Sequence, residues 1–237
     1  MHRVSIFYPN VPDGTFDWDY YLHHHLPLAV GIARRHSGIT LCDVDKALSA
    51  APDNPYRCIC MVHFDGAGSM SDFCDLIDAR KGNAGDVAAI GLDEPNFTDI
   101  RARSYAVADF THKNFAVSTP LGGRMIRVKL IWPFTGSGHD SMELSELHGS
   151  LTWDAGDEGP VASELDISVG SIPRGGLPDY SAIWTLCFRR LEDFDGNSLT
   201  SGEGPLGEAG KKIANMIGSS PEVQLSERIE FDLARAC

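Results

Sequence analysis

Several chemical signatures are missing from this chain of 237 residues. It has no Cys-x-x-Cys pair, no Gly-x-Ser-x-Gly, no His-Glu-x-x-His and no Gly-x-x-x-x-Gly-Lys loop. Their absence removes the usual thiol-redox, serine-hydrolase, zinc-protease and nucleotide-loop readings. Basic charge is scarce: 20 Lys and Arg stand against 33 Asp and Glu, a formal net charge of −13. The shortage is shared, with 10 basic and 15 acidic side chains in residues 1–120 and 10 and 18 in residues 121–237. Neither half has a basic face to spare, so no nucleic acid and no anionic membrane is expected as a partner. No stretch approaches the roughly 20 apolar residues of a membrane span. Met1 to Tyr8 is too short an apolar run for a secretory signal, so a cytoplasmic location is expected. Six cysteines, at 42, 58, 60, 74, 187 and 237, follow no regular spacing. Cys58 and Cys60 would share one face of a strand and could not bridge each other, which predicts reduced core thiols. What is present is 43% apolar and 22% charged, enough for one large core or two ordinary ones.

Arg3–Tyr8 alternates and is β-rich, and Pro9–Gly14 breaks it. Phe16–Arg35 reads as a helix with Asp17 as N-cap; Trp18, Tyr21, Leu22, His25 and Leu28 gather on one face, and Pro27 is expected to kink or end it. Strands are predicted over Gly38–Leu48 and Tyr56–Phe64, a helix over Met70–Ala89 weakened by Gly82 and Gly85, and a last strand over Asp99–Asp109. The order is β-α-β-β-α-β, the ferredoxin-like unit. The pattern then restarts at a spacing of 124. Arg127–Pro133 answers Arg3–Pro9, Tyr180–Phe188 answers Tyr56–Phe64, and Glu227–Leu233 is matched with Arg103–Asp109. A constant spacing indicates tandem duplication. The expected architecture is α+β: two tandem ferredoxin-like units, residues 1–110 and 125–237, joined by a linker over 111–124 that includes Pro120–Gly123. Packed sheet to sheet, they would form an intramolecular pseudo-dimeric α+β barrel.

The first half resembles the EthD family of the dimeric α+β barrel superfamily. The resemblance is carried by Tyr8-Pro9-Asn10, by Phe16 to Leu28 and by Glu94-Pro95-Asn96-Phe97-Thr98-Asp99. The family pattern D-Y-Y-x-x-x-H-x-P-L is filled by Asp19, Tyr20, Tyr21, His25, Pro27 and Leu28. In the second half His148 falls one residue short of the slot that His25 occupies, and no Asp-Tyr-Tyr precedes it. The resemblance implies a pocket between helices and sheet and chemistry on a hydrophobic, oxygenated small molecule of aromatic or polyketide-like type. Members of the wider superfamily act as cofactor-free cyclases, decarboxylases, isomerases or monooxygenases, while other branches bind heme.

His25 shares a helix face with Trp18 and Tyr21, looking toward the sheet, and an imidazole in such a pocket suits proton transfer near neutral pH. The expected catalytic residues are His25 as general base and Tyr21 as the group polarising oxygen. The expected substrate-binding residues are Trp18, Tyr20, His24, His63 and Asn96. Three consecutive helical histidines diverge by about 100° each, so no metal site is expected at His23–His25. Asp19 reads as a first-turn charge, and Asn96 and Asp99 as residues that hold the turn into the last strand. His63 lies on the strand face opposite Cys58, Cys60 and Val62, and spacing does not say which face meets the pocket. Trp132 and Trp184 read as core. The leading expectation is a cofactor-free lyase, cyclase or isomerase; the alternatives are a heme oxidoreductase with His25 or His63 as axial ligand, and a non-catalytic carrier. Further homodimerisation stays open.

Overall fold

Strand β3 (Tyr56–Phe64) shows what the alternation builds: all but one of its residues are buried, on both faces. Double burial also holds along β5 (Met125–Pro133) and β7 (Tyr180–Phe188). Strands buried on both sides need a second covering layer besides helices. The computed structural model, which describes residues 1–49, 53–78, 84–100, 104–115, 125–136, 141–152, 159–170, 172, 180–194 and 204–236, supplies it by closing the sheet on itself. With β1 (His2–Pro9), β2 (Ile39–Ala47), β4 (Ser104–Asn114), β6 (Ala162–Gly170) and β8 (Glu222–Phe231), the strands form a closed antiparallel barrel in the order β1-β3-β2-β8-β5-β7-β6-β4.

The first half contributes β4-β1-β3-β2 and the second β8-β5-β7-β6. They meet edge to edge, β2 with β8 and β4 with β6. The two halves are therefore joined by hydrogen-bonded seams that leave neither an open edge. The 124 spacing holds for the central strands: Val4 pairs with Val62 as Val128 pairs with Leu186. It fails for the last strand. Val107 faces Val4 whereas Leu225 faces Val128, a separation of 118, which corrects the match of Glu227–Leu233 with Arg103–Asp109. Loops absorb length changes, so only the strands in mid-sheet keep one spacing. β4 runs to Asn114, inside the stretch expected as linker; Pro120–Gly123 lie outside the described residues.

On the outside of the first half run α1 (Trp18–Tyr20), a π turn (Tyr21–His25), α2 (Leu26–Arg34), α3 (Ala67–Ile77) and α4 (Ala84–Asp93). The helix expected over Met70–Ala89 is thus two. The second half carries α5 (Ser141–Ser150) and α6 (Gly204–Ile217). No helix among the described residues is long and apolar enough to cross a membrane. Each half has its own apolar helix–sheet core, around Tyr8, Tyr21, Cys60 and Phe73 in the first and around Trp132, Leu144 and Trp184 in the second. The barrel interior is different. Arg3 pairs with Glu164 (2.7 Å) and Asp166, Arg127 with Asp43 and Asp45 (3.1 Å), and Lys129 with Asp45 (2.9 Å), all nearly inaccessible. These ion pairs cross from one half to the other. Cys42, Cys58, Cys60, Cys74 and Cys187 are buried thiols, as expected.

Candidate active site

The first helical segment sets the site. Asp17 caps it, its side chain accepting from the Tyr20 amide (3.0 Å). The Leu26 amide then donates to the Tyr21 carbonyl, one residue further back than in an α-helix, and this makes the π turn. Pro27 consequently falls in the first turn of α2, where a missing N–H matters least, so the rod continues where a break was expected. The extra residue also rotates the buried stripe. Leu26, Val30 and Ala33 are buried, whereas Leu28, expected on the inner face, is 38% exposed.

His25 ends the π turn, 3% exposed, stacked on Tyr21 (centroids 5.6 Å apart, 22°) and packed on Phe97 (4.4 Å). Together with Tyr8, Tyr21, Cys60, Glu94 and Tyr105 it lines a cavity of about 290 Å³ between the helices and the sheet, whose other walls are aliphatic or Phe73. His25 Nδ1 lies 2.9 Å from Asp93 Oδ2. Asp93 Oδ1 accepts from the Tyr20 hydroxyl (2.8 Å) and from Asn96 Nδ2 (3.1 Å). Partial burial alone would raise the Asp93 carboxyl; the hydrogen bonds from Tyr20, His25 and Asn96 outweigh it and hold the group below the ordinary carboxylate range. A carboxylate at Nδ1 favours the tautomer whose lone pair is on Nε2 and stabilises the imidazolium once that nitrogen takes a proton. Burial, then the neighbouring Cys60 and Cys58 thiols, push the Tyr21 phenol well above its ordinary value. Tyr21 therefore stays a neutral hydroxyl, able to donate.

Of the residues expected at the site, the structure brings His25 and Tyr21 to the cavity. Tyr20 and Asn96 stand behind it, on the far side of Asp93, and Asn96 also donates to the Tyr20 hydroxyl (3.1 Å). His24 is exposed and stacks on Tyr20 (4.9 Å). Trp18 packs on Phe16 (4.6 Å) beneath the Lys46 ammonium rather than lining the cavity. His63 faces the barrel interior, 3.1 Å from Asp43, on the other side of the sheet from His25. Asp19 is exposed near His23 (3.6 Å), and Asp99 accepts from the Thr15 amide (2.8 Å), tying the two loops together. Asp93 is the residue that spacing missed. It lies 68 positions from His25, and only the return of α4 to the side of α2 makes them neighbours.

In the second half, Trp132 and Trp184 stand where the repeat spacing puts Tyr8 and Cys60, both with no exposed surface. His148 bonds the hydroxyls of Thr111 (Nδ1, 2.8 Å) and Ser163 (Nε2, 2.8 Å), and Ser163 also accepts from Trp184 Nε1 (2.7 Å). Burial, helped by Lys113 and His112, pushes His148 down to about 4, so it is neutral.

Among the described residues no group of His, Cys, Asp and Glu is placed to hold a metal ion. Of the two histidines expected as heme ligands, His25 lines the first-half cavity and His63 is on the opposite sheet face; no described Lys or Arg lines that cavity to meet propionates, and Glu94 does.

No protein-family model and no curated protein sequence matches the chain. Solved structures do. An anthrone oxidase-like protein aligns with 96% of this chain and 90% of its own at a TM-score of 0.61 and 9% identity. A chlorite dismutase-type protein aligns with 99% and 97% at 0.51 and 10%. At such identities the likeness shows the fold alone, a closed antiparallel eight-stranded barrel flanked by helices.

Proposed function

We propose that the protein is a cofactor-free enzyme that removes a proton from a hydrophobic, oxygenated small molecule in the first-half cavity. The observation that carries this reading is that His25, backed by Asp93, lines a cavity whose walls are mostly apolar. His25 Nε2 takes a proton from carbon next to a carbonyl, or from a phenol. The electron pair moves onto the substrate oxygen, which accepts from the Tyr21 hydroxyl. Asp93 is a positioning residue: it orients the imidazole and offsets its positive charge. The enolate then takes the proton back from the imidazolium at another position, or closes a ring or expels a group that takes that proton up, which are isomerase, cyclase and lyase outcomes. Such a base contributes about 10²–10⁴-fold. The same reading makes the chain an EthD-type protein of two tandem ferredoxin-like units, 1–110 and 125–237, with the working site in the first.

The fold neighbour described as anthrone oxidase-like makes a tricyclic ketone a sensible first probe. Solvent-deuterium exchange at the acidic carbon of anthrone and related hydroxylated ketones, followed by NMR, reads proton removal whatever the enolate's fate. The wild type is expected to accelerate exchange, and His25→Ala to lose about 10²-fold or more of it while its melting temperature holds. Exchange at an unchanged rate in that variant overturns the assignment of His25. Tight binding without any acceleration would make the protein a carrier instead.

A further inference from the structure

A second cavity, about 350 Å³, opens at the mouth of the barrel interior. Leu41, His63, Phe110, His112, Glu164 and Arg228 line it, on the sheet face opposite the His25 cavity. Its carboxylates are already met. Asp43 is approached by His63 (3.1 Å), Arg127 and Arg228 (3.6 Å); Glu164 by Arg3 (2.7 Å), Arg127 (3.5 Å) and His112 (3.6 Å). Arg228 is met only in part. Its ion pairs, to Asp43 and Glu230 (3.2 Å), both use Nη2, while its buried Nε has no hydrogen-bond partner among the described residues. A guanidinium is a fork of donors matched to a carboxylate, and a buried donor without an acceptor is costly to keep. The hydrogen bond that His112 donates to Glu164 raises the imidazole above its ordinary value, and His112 lines the same mouth as Arg228. Apart from Thr40, the remaining wall, including Phe64, Phe110, Met125 and Ala162, is apolar.

We propose that this mouth binds a small organic anion, an aromatic or branched aliphatic carboxylate. The Arg228 guanidinium receives the carboxylate, with His112 and His63 beside it, and the apolar body lies against Phe110 and Met125. A metal cation would be repelled by Arg228, and a bare inorganic anion would leave the aromatic wall unused. The inference does not rest on the His25 reading, since the sheet separates the two cavities.

Calorimetric titration of the full chain with 1-naphthoate, 1-naphthamide and inorganic phosphate tests it. Naphthoate is expected to bind once per chain, and the amide and phosphate about tenfold more weakly or worse. Arg228→Gln should weaken naphthoate by about tenfold or more. Leu41→Trp, which narrows the mouth without touching the ion pairs, should weaken it similarly and decides the matter if Arg228→Gln fails to fold. Cys60→Trp, in the other cavity, should leave it unchanged. No binding of naphthoate, undiminished binding in Leu41→Trp or loss in Cys60→Trp would overturn the proposal. Equal affinity for the amide would remove the anion from it, and equal affinity for phosphate would remove the apolar wall.

Discussion

The two helix–sheet layers start from matching central strands and end in opposite states. Where the first half has Tyr8 and Cys60, which line a cavity of about 290 Å³, the second has Trp132 and Trp184, both buried in an apolar cluster. Each half also places a histidine on its leading helical segment. His25 meets a carboxylate and can share a proton's charge; His148 meets two hydroxyls and is held neutral. Two features therefore separate a potential site from a structural copy: the volume of a few strand side chains, and whether the imidazole has an anion behind it. Neither depends on the pairing of the central strands, which β1–β3 and β5–β7 have in common.

That contrast can be broken from either side. The largest effect is expected for Cys60→Trp, which puts the second half's side chain into the first. It should abolish binding of a tricyclic ketone in a calorimetric titration, because an indole fills space the ligand needs. The reverse change, Trp184→Cys, should destabilise the protein by about 3–5 kcal/mol in urea unfolding, the usual cost of emptying a large aromatic site. It should gain no deuterium exchange, since His148 has no carboxylate at either ring nitrogen. Asp93→Asn keeps the shape but removes the charge behind His25. Exchange should fall by about 10²-fold and its pH profile should move, whereas a purely structural Asp93 would change only the melting temperature.

The smallest effect separates the histidines by pH. The fold holds His148 near 4 against an ordinary 6.5, so between those values the unfolded chain takes up a proton that the folded one refuses. Stability should fall as pH drops from 6.5 to 4, and His148→Gln should flatten that window. Asp43 and Glu164 are also held below their ordinary values. Burial alone would raise both, but Arg127 outweighs it for each, helped by His63 at Asp43 and by Arg3 at Glu164. Their contribution is present above the ordinary carboxylate range and is lost as pH falls through it and below, so acid should still unfold the variant.

Much of this architecture is legible in the sequence because the central strands alternate cleanly and repeat at one spacing. His25 and Tyr21 are legible too, through helical periodicity and the family pattern. The π turn is not, since nothing in Tyr21–His25 announces a residue more per turn, and it is what moves Leu26 inward and Leu28 out. Asp93 depends on tertiary return of α4. The barrel interior misleads for a physical reason: Asp43 and Asp45, Arg127 and Lys129, and Glu164 and Asp166 alternate with apolar residues as a solvated sheet face would. Closure turns that face inward, where the charges neutralise one another. His63 could be placed only once the barrel was seen to close.

In the proposed function only the first half of the molecule binds the ligand. Binding stoichiometry of a neutral tricyclic ketone to the full chain, measured by calorimetry in the wild type and in Cys60→Trp, tests it most directly. The account predicts one site per chain in the wild type and none in the variant. Two sites in the wild type, or one site surviving Cys60→Trp, would contradict it.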